Sequence, residues 1–177
     1  MADDRSFLIK TIRKDKYVVR LKEVCDDVGA STPVTRLLKE GASLHSDRTS
    51  RDLFKHAMSP TKLYEARLKD MSHRARLTEI RVSLTKQESM LKVSLSEVKK
   101  HIVSRYADDL KPVASTVDAR KAYIDRTLNF AVTLLDTIEA AIQEIDLYIR
   151  DLDQAAFGFR DATDLVRLMT ERKDQIV

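Results

Sequence analysis

Residues 124–159, IDRTLNFAVTLLDTIEAAIQEIDLYIRDLDQAAFGF, place an apolar side chain at every step of a 4,3,4,3 spacing: Ile124, Leu128, Ala131, Leu135, Ile138, Ile142, Ile145, Ile149, Leu152, Ala156 and Phe159. A helix keeps such a stripe facing a partner only by packing lengthwise against it with a slight supercoil. The residues just before the a positions Leu128, Leu135, Ile142, Ile149 and Ala156 are Thr127, Leu134, Ala141, Tyr148 and Ala155, so a third column is mostly apolar as well. A face that wide is covered by two or more helices, as in a bundle or a ring of packed hairpins. The stripe therefore predicts self-association, with Leu128, Leu135, Ile138, Ile142, Ile145, Ile149 and Leu152 as the assembly residues. Asp125, Glu139, Asp146 and Asp153 form an acidic edge on its flank.

Outward from this stretch, the whole 177-residue chain reads as helical. It holds three Gly, three Pro and no Trp, and 34% of it is charged; few helix breakers combined with long periodic segments mark an all-α protein. Thr32-Pro33 reads as a helix start, and Gly41 as the end of a short helix over 33–40. Ser59-Pro60 opens a long helix to about Arg105. Its apolar positions are Tyr64, Leu68, Met71 and Ala75, then Leu77, Ile80 and Leu84, then Leu91, Leu95, Val98 and Ile102, with a slip of phase near residue 77. Ala107–Thr116, with Asp108, Asp109 and Pro112, is the expected turn. The heptad helix follows from about Val117 to Phe157, where Gly158 is expected to loosen it.

Two helices of similar length around a turn form an antiparallel hairpin, which buries the stripe against its own chain and then against copies. The expected organisation is a short-helix extension over 1–58, a hairpin and oligomerisation body over 59–160, and an amphipathic segment over 161–177 that carries Leu165, Val166, Leu168 and Met169. Ser6–Val28 reads as one or two helices, with Tyr17–Val19 alternatively extended.

Charge is unevenly spread. Residues 1–105 carry 23 Lys/Arg against 14 Asp/Glu, a net +9, and residues 106–177 carry 9 against 14, a net −5. Such a division suits either head-to-tail self-association or a nucleic-acid face backed by an assembly face. Basic residues run along the first long helix as Arg67, Lys69, Arg74, Arg76, Arg81, Lys86 and Lys92, and close it as Lys99, Lys100 and Arg105 beside Tyr106. Cations on a helix can neutralise phosphates while an aromatic ring stacks on a base. Lys92, Lys99, Lys100, Arg105 and Tyr106 are thus the candidate nucleic-acid contacts. The alternative is a solvated face, since Glu65, Asp70, Glu79, Glu88 and Glu97 are placed to pair with several of these cations.

Other chemistry is sparse. Leu21–Gly41 resembles a helix-turn-helix, with Val24, Cys25 and Val28 inward, Gly29 at the turn, and Thr35, Arg36 and Lys39 on the second helix; Pro33 and polar Thr35 fit that pattern poorly, and two short helices packed on the hairpin are the competing reading. His45, His56, His73 and His101 are scattered, with no metal-ligand spacing. Glu144, Asp146, Asp151 and Asp153, beside Arg150, read as ion-pairing charge rather than an acid/base couple. No glycine-rich phosphate loop or nucleophile motif is present, so no enzyme, metal or cofactor is expected. Cys25 is the single cysteine, which rules out an intrachain disulfide and favours a reducing compartment. With no long apolar run, the expectation is a soluble cytoplasmic protein with no membrane segment, in the host cell if the chain is phage-encoded.

Asp118–Asp136, DARKAYIDRTLNFAVTLLD, resembles the C-terminal helix of the recombination mediators of T4-type bacteriophages at Asp118, Asp125, Leu128, Phe130 and Leu134-Leu135-Asp136. The likeness extends to Ala141, Ile142, Ile145 and Ala156-Phe157, and back to a basic helix ending in Tyr106; the main stretch is 91–157. Members of that family are small helical proteins that load a recombinase onto single-stranded DNA, and they are shorter at the N-terminus than this chain, whose first 58 residues depart from the pattern. The resemblance implies a ring-like homo-oligomer built through the C-terminal helices, with Lys99, Lys100, Arg105 and Tyr106 touching DNA, and a recombinase or other protein as partner. The competing class is a non-enzymatic helical adaptor of a phage particle or assembly complex; a helix-turn-helix regulator is the third reading.

Overall fold

The computed structural model describes residues 2–49 and 59–174, and among these it contains helices and no strand. The helices are α1 (Ala2–Arg13), α2 (Lys16–Ser31), α3 (Val34–Ser46), α4 (Pro60–Arg105), α5 (Ala107–Val113), α6 (Val117–Thr127) and α7 (Asn129–Asp174). Contacts group them into two compact units, Met1–Val34 with Leu84–Ala140, and Thr35–Ser83 with Ala141–Val177. These units combine segments distant in sequence, whereas the sequence reading divides the chain into consecutive blocks. His56 lies outside the described residues.

In the first unit, α4 buries Leu84, Leu91, Leu95, Val98 and Ile102, and α6 and α7 bury Ile124, Leu128, Ala131 and Ile138. Leu8 and Ile12 of α1, and Val18, Leu21, Cys25 and Val28 of α2, complete this core. Each buried Leu, Ile or Val here contributes about 1.5–3 kcal/mol by leaving water. Burial, with Asp26 nearby, pushes the Cys25 thiol up to about 11, so Cys25 serves as a core residue and not as a nucleophile.

In the second unit the buried set is Leu63, Ala66, Leu77 and Ile80 of α4 with Ala141, Ile145, Leu152 and Phe159 of α7. The helix-start signal at Ser59-Pro60 is realised, with the Lys62 N–H 3.5 Å from Ser59 Oγ. The inward face differs from the expected one. Tyr64, Leu68, Met71 and Ala75 are exposed, and the 3,4 spacing runs without a slip through residues 63, 66, 70, 73, 77, 80 and 84. Two of those positions are polar. Asp70 is buried and accepts the Thr49 N–H at 2.8 Å, and the side chain of His73 is only 12% exposed, near Asp47. Asp70 is matched by Thr49 on another segment, whereas His73 lies 3.8 Å from Asp47 and buries its Nδ1 without a hydrogen-bond partner among the described residues; such polar residues at core positions conceal the true periodicity.

Several other boundaries shift. Gly29 lies inside α2 and makes no helix-turn-helix turn, and Gly41 lies inside α3 and does not end it. A Cβ on Gly41 would stand 2.5 Å from Ile145 Cδ1 and 3.4 Å from Leu77 Cδ2, so this glycine allows α3 to approach α4 and α7 closely. Tyr17–Val19 is helical, and the Ser6–Val28 region is two helices, α2 being capped by Asp15, whose Oδ1 accepts the Tyr17 N–H at 2.9 Å.

The expected turn holds the short helix α5, which accommodates Pro112 in its last turn; Thr116 then caps α6, accepting the Ala119 N–H at 3.1 Å. The heptad helix is not one piece. It breaks at Leu128, where buried Thr127 donates its hydroxyl to the Tyr123 carbonyl at 2.8 Å, a back-bond that bends helices. Gly158 does not end α7, which continues through the expected 160/161 boundary to Asp174.

Candidate nucleic-acid interface

The basic column of α4 and the acidic edge of α6 and α7 meet. In the first unit Lys99 Nζ lies 2.7 Å from Asp125 Oδ1, and Lys92 Nζ lies 2.9 Å from Glu139 Oε1. In the second, Arg81 pairs with Asp146 and Arg74 with Asp153. Within each unit the partners advance in opposite directions along the chain, as antiparallel helices require. Lys92 is also 2.6 Å from Glu88, and together Glu88 and Glu139 hold its ammonium up to about 12. Arg76 reaches Glu40 and Glu79, and Lys69 reaches Asp47. These rungs are solvent-exposed, and they set register more than stability. Of the five carboxylates expected to pair along α4, Glu79 and Glu88 do so, and the remaining partners of the basic column come from other segments. The carboxylates around Arg150 are also paired: besides the Asp146 and Asp153 rungs, Asp151 meets His45 and Arg48, and Glu144 accepts from the Tyr148 hydroxyl.

A different arrangement occurs where α4 faces α6 in the first unit. A groove of about 660 Å³ has Lys92, Lys99, Lys100 and Lys121 on its rim and Leu95, Val103, Ile124 and Leu135 on its floor, with Asp125 the acidic residue lining it. Lys100 makes no ion pair among the described residues, and Lys121 has only a long contact of 3.7 Å to exposed Asp118. Lys99 is offset by Asp125 and Lys92 by Glu139 and Glu88, so the positive charge left at the groove is that of Lys100 and, in part, Lys121. Three of the five predicted contacts, Lys92, Lys99 and Lys100, therefore come together here. Lys121 is missed by the sequence reading, because it stands alone among mixed charges, with Asp118, Arg120, Asp125 and Arg126 around it.

Arg105 and Tyr106 do not line that groove. The Tyr106 ring is 8% exposed, and its hydroxyl donates to Asp15 Oδ2 at 3.0 Å. Asp15 Oδ2 also lies 3.2 Å from His101 Nε2 and 3.4 Å from an Arg105 guanidinium nitrogen, while the Tyr17 ring stacks on His101 at 4.0 Å. Burial pushes the Asp15 carboxyl up, but the Tyr17 N–H, His101 and Tyr106 outweigh it and hold it below the usual carboxylate range. Burial and the Asp15 charge raise the Tyr106 phenol. A ring held in this way cannot stack on a base without leaving its site. Arg105 and Tyr106 fasten the N-terminal helices to α4.

The assembly residues fall into two groups. Leu128, Ile138, Ile145 and Leu152 are buried within the chain, whereas Leu135, Ile142 and Ile149 are half-buried. Among the described residues no cluster of His, Cys, Asp and Glu could hold a metal, and no helix is long and apolar enough to cross a membrane. No protein-family model, curated protein or solved structure matches this chain.

Proposed function

We propose that the chain is a self-associating helical protein that binds single-stranded nucleic acid in the lysine-rimmed groove and acts as a recombination mediator, helping to load a recombinase. The observation that carries the nucleic-acid part is the convergence of Lys92, Lys99, Lys100 and Lys121 on one concave surface. Ammonium groups gathered along one groove can neutralise phosphates of a strand lying in it. The mediator and recombinase parts are supported by the resemblance over Asp118–Asp136. Tyr106 has no stacking role in this account. A helical adaptor is the second reading, favoured by a floor that is aliphatic and lacks an aromatic ring.

Fluorescence anisotropy with a labelled single strand at several salt concentrations tests the proposal. Wild-type affinity should fall steeply with salt, and changing Lys99, Lys100 and Lys121 together to Ala should weaken binding and flatten the log–log salt slope by roughly 2, at about 0.7 per phosphate contact. Absence of single-strand binding by the wild type at physiological salt would select the adaptor.

A further inference from the structure

Residues 10–22 carry Lys10, Arg13, Lys14, Lys16, Arg20 and Lys22 against a single carboxylate, Asp15, which is already held by His101, Arg105 and Tyr106. None of the six cations makes an ion pair among the described residues. Two of them, Arg13 at the end of α1 and Lys22 on α2, line a cavity of about 620 Å³ that these helices form with the start of α7. Val18, Val19, Asn129 and Phe130 complete its wall, and all six residues belong to the first unit. No carboxylate lines it. Glu23 follows Lys22 in sequence and Asp26 comes one turn later, but neither is on the wall; Asp125, one turn before Asn129, is paired with Lys99 and lines the other groove.

Phe130 is half-buried and its ring has no aromatic partner among the described residues, while the exposed Asn129 side chain has no hydrogen-bond partner there. The cavity thus holds what the lysine-rimmed groove lacks: two unpaired cations, an aromatic ring, and an amide that both donates and accepts. Its volume falls in the range of small-molecule sites, about 300–1,000 Å³. A simple anion would leave Phe130 and Asn129 unused, and an apolar ligand would leave Arg13 and Lys22 unpaired. A nucleotide uses all four. We propose that this cavity is a binding site, separate from the groove between α4 and α6, for a nucleotide whose phosphate is held by Arg13 and Lys22, whose base lies on Phe130 and whose base edge meets the Asn129 amide. A free nucleotide and one unit of a single strand offer the same chemistry. The site gives the N-terminal helices, which the mediator resemblance does not cover, a ligand of their own, and it stands independently of the groove.

Isothermal titration calorimetry of the full chain tests it with ATP and, separately, with tripolyphosphate, which is comparably charged and has no base. ATP should bind more tightly than tripolyphosphate. Phe130→Leu, which keeps the apolar volume and removes the ring, should weaken ATP binding about tenfold and leave tripolyphosphate binding unchanged. Arg13→Gln with Lys22→Gln, both at exposed positions, should weaken both. Changing Lys99, Lys100 and Lys121 to Ala should leave ATP affinity as it is, so failure of this site and failure of the groove are read separately. An oligothymidylate distinguishes the sources: Phe130→Leu lowers its affinity if a strand also occupies the site, and leaves it unchanged if free nucleotide alone does. ATP bound no more tightly than tripolyphosphate, equal losses of the two on Phe130→Leu, or ATP binding removed by the groove variant and kept by the Arg13 and Lys22 variant would each overturn the inference.

Discussion

Ile145→Asp should strongly destabilise the second unit. Ile145 is fully buried, and its Cδ1 packs at Gly41, where Leu77 and Tyr148 also come close. A carboxylate there has no donor of its own and no route to water, so the cost exceeds about 4 kcal/mol. For a chain of this length that lowers the melting temperature by about 10 °C or more. Ile142→Asp, at a half-buried position three residues earlier on α7, should cost much less because its charge remains partly hydrated. Thermal melts followed by far-ultraviolet circular dichroism separate the two. Equal melts would mean that the stripe does not face inward through Ile145.

Asp15→Ala is the second large effect. The Asp15 side chain is 1% exposed and meets the Tyr106 hydroxyl, His101, Arg105 and the Tyr17 N–H. Its removal strips the N-cap of α2 and leaves buried donors unpaired, for a loss of about 3–5 kcal/mol. The same contact predicts a pH dependence. Because the folded carboxyl titrates below its unfolded value of about 3.9, its stabilisation is fully present above that pH and is lost as pH falls through the folded value. Chemical denaturation of wild type and Asp15→Ala should therefore differ near neutrality and converge in acid. A constant difference down to strong acid would show that Asp15 contributes through packing alone.

How much of this was readable depends on whether the interactions are local. The inward face of α7 was legible because Ala131, Ile138, Ile145, Leu152 and Phe159 are all apolar at core spacing and all buried. The corresponding face of α4 was not, since Asp70 and His73 hold core positions that look polar until Thr49 and Asp47 arrive from another segment. The basic column and the acidic edge were each visible in the sequence, but their pairing needs the register of two antiparallel helices. Glycine misled three times. Gly29, Gly41 and Gly158 mark no helix end, and Gly41 instead sits where helices come close. Of the candidate site, the three lysines of α4 were legible from their clustering. Lys121 and the role of Tyr106 were not, because the contact from Asp15 to Tyr106 spans 91 residues and leaves no local trace.

The claim at the centre of this account is that a single strand lies in the groove between α4 and α6. Lysine acetylation mapped by mass spectrometry, with and without an oligothymidylate, tests it at the level of individual residues. Lys100 and Lys121 should become strongly protected, and Lys92 and Lys99 to a lesser degree because each already holds a carboxylate, while Lys62 and Lys86 react as in the free protein. Protection confined to Lys39 and other lysines away from the groove, or no protection at saturating oligonucleotide, would contradict the account.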